Sequence, residues 1–154
     1  MADKSERTLV LLKPDALQRG LVGTLVGRLE TRGLKIVAMK LLLMDRDLAG
    51  RHYEAHVRSP FYPGLVEFIT SGPLIAMVVE GPGAVNLVRT TMGATNPLEA
   101  APGTIRGDLA TDIGRNLIHG SDSPQAAQRE IALFFDSSEM IDYSRGIDPW
   151  VTES

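Results

Sequence analysis

Three apolar runs separated by segments with helical spacing restrict the fold of this chain more than any other feature of its sequence. The runs cover residues 8–12, 34–44 and 74–79. Each shows little polar alternation, which predicts strands that are covered on most of both faces. Between the first two runs, Val22, Leu25 and Leu29 fall on one face of a helix that stops at Gly33. Strands and helices are therefore expected to alternate.

The rest of the chain continues this alternation. Asp47 is expected to cap a helix that runs through His56, and Phe61 to lie at the start of a second short helix. The elements predicted after the third strand are a helix at 85–92, a loop at 95–107, a short strand at 117–118 and a last helix capped by Ser123.

Four strands in this order predict an α+β fold. The arrangement that fits is a split βαβ sandwich, in which helices cover one face of a four-stranded antiparallel sheet. A small doubly wound parallel sheet is the alternative, because the same alternation of elements permits it.

Length and composition limit the possible classes of protein. The 154 residues fit one domain, 1–154, in which the acidic tail 136–154 is too poor in apolar residues to form its own core and is expected to pack on this subunit or a neighbour. The net charge of −3 argues against a basic nucleic-acid-binding surface, and the absence of cysteine excludes thiolate metal sites. The histidines at 52, 56 and 119 have poor spacing for a metal site. Without a signal sequence or membrane span, a cytoplasmic location is expected.

The segment 103–123 has the composition of a phosphate-binding site. Its sequence is GTIRGDLATDIGRNLIHGSDS, in which arginine, asparagine and serine donors are interleaved with glycines. His119 can act near neutral pH either as a neutral nucleophile or as a cation. Lys13, directly after the first predicted strand, lies where ligands gather in sheets of this kind. A solvated loop is the alternative interpretation of the segment by itself.

Four stretches together resemble the nucleoside diphosphate kinase family. They read ERTLVLLKPDALQRGLVG, SGPLIAMVVEG, GATNPLEAAPGTIRGD and RNLIHGSDS, and the similarity extends from Glu6 to Phe135. The resemblance implies a ferredoxin-like fold, a homo-oligomer (tetramer or hexamer) and transfer of a γ-phosphoryl group, mainly from ATP, to a nucleoside diphosphate. It also implies Mg²⁺ held by the nucleotide phosphates, without direct protein ligands.

The resemblance assigns roles to individual residues of this sequence. His119 matches the histidine that carries the phosphoryl group between two half-reactions. Residues that match supporting positions are Tyr53, Ser121 and Glu130. Residues that match nucleotide-contacting positions are Lys13, Phe61, Arg89, Thr95, Arg106 and Asn116. Two alternatives keep the family resemblance but lack this turnover: a nucleotide-binding regulatory protein, and a phosphocarrier that passes the group to a protein.

Overall fold

The computed structural model describes residues 5–153, which form one four-stranded sheet. The strand order is β2-β3-β1-β4, and all three neighbouring pairs are antiparallel. The predicted fold class is therefore confirmed, and the parallel alternative is excluded.

The bounds of the elements are as follows. The strands are β1 Ser5–Leu12, β2 Lys35–Leu42, β3 Leu74–Pro82 and β4 Ile118–Gly120. The α-helices are α1 Pro14–Gln18, α2 Val22–Thr31, α3 Arg46–His52, α4 Tyr62–Ile69, α5 Ala84–Met92, α6 Ile105–Leu109, α7 Pro124–Phe134 and α8 Asp148–Val151. Short 3₁₀ turns cover Glu54–His56, Pro97–Glu99 and Ser137–Glu139.

Helices cover both faces of the sheet, so the expectation of helices on one face is wrong. In β1, Val10 and Leu12 pack in a cluster with α2 and α5, while Leu9 and Leu11 pack on the opposite side with α3, α4 and α7. Successive side chains of a strand point to opposite faces, so an uninterrupted apolar run needs a covering layer on each side. The two layers fix β1 at the centre of the molecule.

Two helix starts differ from those predicted. Asp45, not Asp47, caps α3, because its carboxylate accepts a hydrogen bond from the Leu48 amide at 2.8 Å. Thr104 caps α6, which occupies the end of the segment predicted to be a loop. Ser123 caps α7 as predicted, but α7 is not the last helix, because α8 follows in the tail.

The tail after α7 lies along the free edge of β2. The Ile141 amide donates to the Val37 carbonyl at 2.9 Å, and the Arg145 guanidinium donates to the carbonyls of Leu34 and Gly33. Backbone groups on the edge of β2 thus have partners from the same chain. Within the described residues, the helices are too short and too polar to cross a bilayer.

Candidate active site

The pairing of β4 with β1 determines where His119 projects. His119 lies opposite Leu11, and directly opposed residues of an antiparallel pair point to the same face of the sheet. Leu11 belongs to the cluster with α3, α4 and α7, so the imidazole enters the layer formed by those helices. The next residue, Gly120, has no room for a side chain, because a β-carbon there would lie 2.7 Å from the Met92 sulfur. His119 is therefore held on a strand rather than on a loop.

One nitrogen of His119 is engaged by a buried carboxylate. Nε2 lies 2.6 Å from Oε1 of Glu130, and the Ser121 hydroxyl donates to the same oxygen at 3.0 Å. Burial by itself would raise the pKa of Glu130, but the hydrogen bond and charge of His119 outweigh it and lower this pKa below its ordinary value. An ionised Glu130 favours the tautomer with the proton on Nε2, which leaves Nδ1 with a free electron pair.

A second chain of hydrogen bonds begins at the end of β1. Lys13 Nζ donates to Oδ1 of Asn116 at 2.8 Å, and the Asn116 amide donates to the backbone carbonyl of Thr95 at 2.9 Å. Burial, with a smaller contribution from Arg106, lowers the pKa of Lys13 to about 8. The lysine is therefore a cation at pH 7 that loses its proton more readily than a surface lysine.

Arg106 is buried although it carries a charge. Its guanidinium donates to the backbone carbonyls of Asn116 at 3.2 Å, Gly93 at 3.2 Å and Ile118 at 2.5 Å. Burial and then the charge of Arg89 lower its pKa to about 10, which still leaves it protonated at pH 7. The exposed Arg89 donates to the Gly120 carbonyl at 3.3 Å. Both arginines therefore fix backbone groups next to His119.

The backbone is strained two residues before His119. Leu117 has a φ of 75°, which is unusual for a residue other than glycine. Its amide donates to Oδ2 of Asp15 at 3.0 Å and its carbonyl accepts from the Lys13 amide at 2.9 Å, so the start of α1 holds this turn. Strain of this kind is often stored at functional sites, where the surrounding structure maintains it.

A cleft of about 500 Å³ brings most of the predicted site residues together. Those on its wall are Lys13, Tyr53, Arg89, Thr95, Arg106, Asn116, His119 and Glu130. Ser121 is fully buried, and its hydroxyl donates to the cleft residue Glu130. Burial raises the pKa of Tyr53 to about 12, with a smaller contribution from the Glu130 charge, so its hydroxyl remains protonated. Phe61 is 57% exposed and lies outside the lining residues.

His52 lines the cleft but is not among the site residues that the sequence predicted. Its buried ring meets the His119 ring edge-on, with 4.8 Å between the centroids. Burial, followed by the effect of His119, lowers its pKa to about 3, so the imidazole is neutral. The linear spacing of the histidines gave no indication of this contact, because it depends on how α3 packs against β4 and α7.

Comparison with known proteins agrees with this fold. The sequence model of nucleoside diphosphate kinase matches residues 6–140. A nucleoside diphosphate kinase of Archaeoglobus fulgidus is 57% identical over 148 residues, 96% of this chain and 98% of the relative, and one from Thermomicrobium roseum is 58% identical over 146 residues, 95% and 98% of the two chains. A solved halophilic nucleoside diphosphate kinase from Halobacterium salinarum superposes with a TM-score of 0.95 at 55% identity, covering 97% of this chain and 99% of that one.

The chain therefore shares its fold with these relatives over nearly its whole length, and cationic side chains surround a histidine in its cleft. The chain belongs to the nucleoside diphosphate kinase family. The resemblance seen in the sequence motifs is confirmed.

Proposed function

We propose that this protein transfers the γ-phosphoryl group of a nucleoside triphosphate, mainly ATP, to a nucleoside diphosphate through a phosphohistidine at His119. The observation that carries the proposal is the contact of Nε2 of His119 with Glu130 at 2.6 Å, on the wall of a cleft that is also lined by Lys13, Arg89, Arg106 and Arg129. The solved Halobacterium salinarum relative is a complex with CDP, which supports a nucleoside diphosphate as acceptor.

The reaction consists of two displacements at phosphorus. In the first, the Nδ1 electron pair of His119 forms a bond to the γ-phosphorus, and the bond from that phosphorus to the bridging oxygen breaks. The departing nucleoside diphosphate takes the electron pair, while the proton stays on Nε2 against Glu130. In the second, a terminal oxygen of another nucleoside diphosphate attacks the phosphorus and the N–P bond breaks. The products are a nucleoside triphosphate and neutral His119, which predicts ping-pong kinetics.

The charged residues of the cleft supply electrostatic stabilisation. Phosphoryl transfer depends mainly on positioning and on neutralising charge spread over the phosphate oxygens. Lys13, Arg89 and Arg106 are the cations suited to this, and Asn116 and Thr95 add neutral donors. Glu130 has a separate role, because its negative charge favours the ring of His119 as that ring gains positive character on phosphorylation. Tyr53 and Ser121 support the His119–Glu130 pair.

The side chains of the cleft fit a magnesium ion that is carried by the nucleotide. Apart from Glu130, which is hydrogen-bonded to His119 and Ser121, the carboxylate on the described cleft wall is the exposed Asp122. Mg²⁺ prefers oxygen ligands and usually retains phosphate oxygens and waters in such sites. We therefore assign it to the phosphates with no direct protein ligand, where it would offset phosphate charge.

A label-transfer experiment tests the proposal. The protein is incubated with Mg²⁺ and γ-labelled ATP, freed of nucleotide and chased with excess GDP. Acid-labile label on His119 that leaves as GTP is the expected result. Label that forms but does not respond to GDP would contradict the nucleotide-acceptor step and favour a phosphocarrier. An absence of label would favour the nucleotide-binding regulatory alternative.

Phe61 is expected to bind the nucleotide base by stacking. Its exposed ring lies at the start of α4, 5.8 Å from the His56 ring, and a π face accepts any base. Phe61→Ala is expected to weaken binding of all nucleoside diphosphates by a similar factor, corresponding to about 1–3 kcal/mol in calorimetric titrations. The control is Val57→Ala, since Val57 is equally exposed, at 56%, but aliphatic. A loss restricted to purines would indicate recognition of base edges instead.

An exposed apolar strip on β2 supports a homo-oligomer, a tetramer or hexamer. After the irregularity between Ile36 and Ala38, Met39 and Leu41 point away from the helix layer that buries Ala38, and they are 43% and 66% exposed. The strip continues at Leu43, which is 71% exposed. Contiguous exposed apolar side chains are typical of protein interfaces.

Light scattering at micromolar protein is expected to give a mass several times 16.7 kDa. Leu41→Asp should shift the distribution to smaller species, because an unpaired charge is costly inside an interface. The control is Leu98→Asp, at a residue that is 79% exposed outside this strip. A monomeric parent protein would contradict the inferred assembly.

The cytoplasmic location and the single domain 1–154 with its tail 136–154 remain predictions.

A further inference from the structure

His52 has a ring nitrogen, Nδ1, that takes no part in the proposed phosphoryl-transfer steps. The residue is 6% exposed, and its Nδ1 atom is buried without a hydrogen-bond partner among the described residues. Leaving a buried polar atom unpaired costs free energy, on the order of 1–3 kcal/mol. Aromatic contacts with Tyr53 and Phe134 could be made equally well by phenylalanine. The imidazole therefore calls for another explanation.

The surroundings of His52 contain two further metal-binding groups. His52, His119 and Glu130 each offer one ligand atom, and these atoms all lie within 4.8 Å of one another. Ligands of a tetrahedral zinc ion with bonds of about 2.0–2.1 Å lie roughly 3.3 Å apart. To reach that geometry, the longest distance between two ligand atoms must shorten by about 1.5 Å. The distance between His119 and Glu130 must increase slightly.

We propose that His52, His119 and Glu130 form a binding site for Zn²⁺ or a similar transition-metal ion, and that the bound ion inhibits the enzyme. Two imidazoles and one carboxylate are a ligand set that zinc uses in proteins, with a fourth position open to solvent or ligand. Here the fourth position would face the cleft that His52 lines. Mg²⁺ prefers oxygen ligands in octahedral geometry and is excluded from this set.

Inhibition follows from which atoms the ion would occupy. A metal ion bound through the Nε2 electron pair of His119 displaces the hydrogen bond to Glu130 and requires the tautomer with the proton on Nδ1, so Nδ1 has no free electron pair with which to attack the γ-phosphorus. Conversely, the phosphorylated ring needs a proton on Nε2 to remain paired with Glu130, so phosphorylation and metal binding oppose each other. This inhibitory part depends on the proposed nucleophile, whereas the binding part does not.

Arg129 carries a positive charge next to the proposed ion. The Arg129 guanidinium lies 3.9 Å from the second carboxylate oxygen of Glu130. Its repulsion is expected to weaken the affinity for a cation, so Arg129→Gln should bind Zn²⁺ more tightly than the parent protein. A purely structural role of His52 would not produce this response.

Calorimetric titration of the nucleotide-free protein with Zn²⁺ at constant pH tests the binding part. One ion per chain is expected, and Co²⁺ used as a probe should give the visible absorption of a tetrahedral site. Loss of an outer-sphere partner of a metal ligand costs about 10–100-fold in affinity, so His52→Gln, which removes a ligand itself, should weaken Zn²⁺ binding by on the order of 100-fold or more. His52→Phe, which keeps the aromatic packing, should behave in the same way.

His56→Gln is the matched control, because His56 also lines the cleft but lies outside the three-residue cluster. Unchanged affinity in His52→Gln and His52→Phe, or lost affinity in His56→Gln, would overturn the site. The inhibitory part is tested by turnover at saturating Mg²⁺ nucleotide with buffered free Zn²⁺, relative to each variant's metal-free rate. The parent protein should be inhibited at the Zn²⁺ concentration that titrates the site, and an uninhibited parent would overturn that part. Failure of the proposed kinase function would instead be seen in the label transfer, without Zn²⁺.

Discussion

Replacing His119 with alanine is expected to abolish phosphoryl exchange while the fold and nucleotide binding are retained. The imidazole supplies the only bond that holds the phosphoryl group between the two half-reactions, so its loss should lower turnover by at least about 10⁴-fold, as is found when a covalent nucleophile is removed. The cations proposed to bind phosphate are on other elements, and His119 itself is outside the apolar clusters. Steady-state turnover and calorimetric nucleotide binding measure the two effects separately.

His119→Gln is the matched variant for that experiment. Alanine would remove the contact of His119 with Oε1 of Glu130, whose side chain is only 8% exposed, and leave the Ser121 hydroxyl as the donor to that oxygen, whereas the glutamine amide can still donate to it. Both variants should be inactive, but thermal unfolding should show the glutamine variant to be the more stable one. Residual turnover well above the expected limit in either variant would show that another group accepts the phosphoryl.

The strands of the central sheet could be predicted because side chains buried on both faces of a strand produce an uninterrupted apolar run. Val10 and Leu12 on one side of β1, and Leu9 and Leu11 on the other, are all fully buried. The same observation could have corrected the expected number of helix layers, because a strand without polar alternation requires a cover on both faces. The order of strands in the sheet was less accessible, since it depends on contacts between distant segments.

The ends of helices were harder to predict than their existence. Asp45 and Asp47 lie two residues apart at the start of the same helix, and both are residue types that favour the capping position. Only the backbone geometry determines that Asp45 reaches the Leu48 amide, while Asp47 forms an exposed pair with Arg51. The helix α6 was missed because Pro97, Pro102 and Gly103 precede it and Gly107 lies within it.

Some residues of the candidate site could be predicted from the sequence and others could not. Residues in the local motifs, such as His119 and Asn116, could be identified because each lies next to other diagnostic residues. His52 has an equally chemical side chain, but its neighbours in sequence do not distinguish it from His56. Packing of α3 against α7 separates them: one is buried against His119, and the other is exposed. Such long-range contacts are not encoded by spacing along the chain.

Lys13 is expected to be the most important cation of the site. Lys13→Met keeps the length of the side chain but removes a charge that is proposed to contact the phosphates, and the loss of one preorganised electrostatic contact of this kind is expected to lower kcat by about 10²–10³-fold. The variant also leaves Oδ1 of Asn116 without its present donor. The role of the positive charge can be separated from the role of the side-chain geometry with Lys13→Arg. This variant retains a cation but changes its geometry, so it should recover only part of the activity.

The pH profile provides a more specific test of the same residue. Because burial lowers the pKa of Lys13 to about 8, the lysine is positive below that pH and neutral above it. Since kcat/KM reflects ionisation of the free enzyme, it should fall as the pH rises through about 8. The arginine of Lys13→Arg stays protonated throughout this range, so the fall should be absent from its profile. Persistence of the same alkaline decrease in Lys13→Met would show that a different group causes it, and would remove Lys13 as the cation whose ionisation controls phosphate binding.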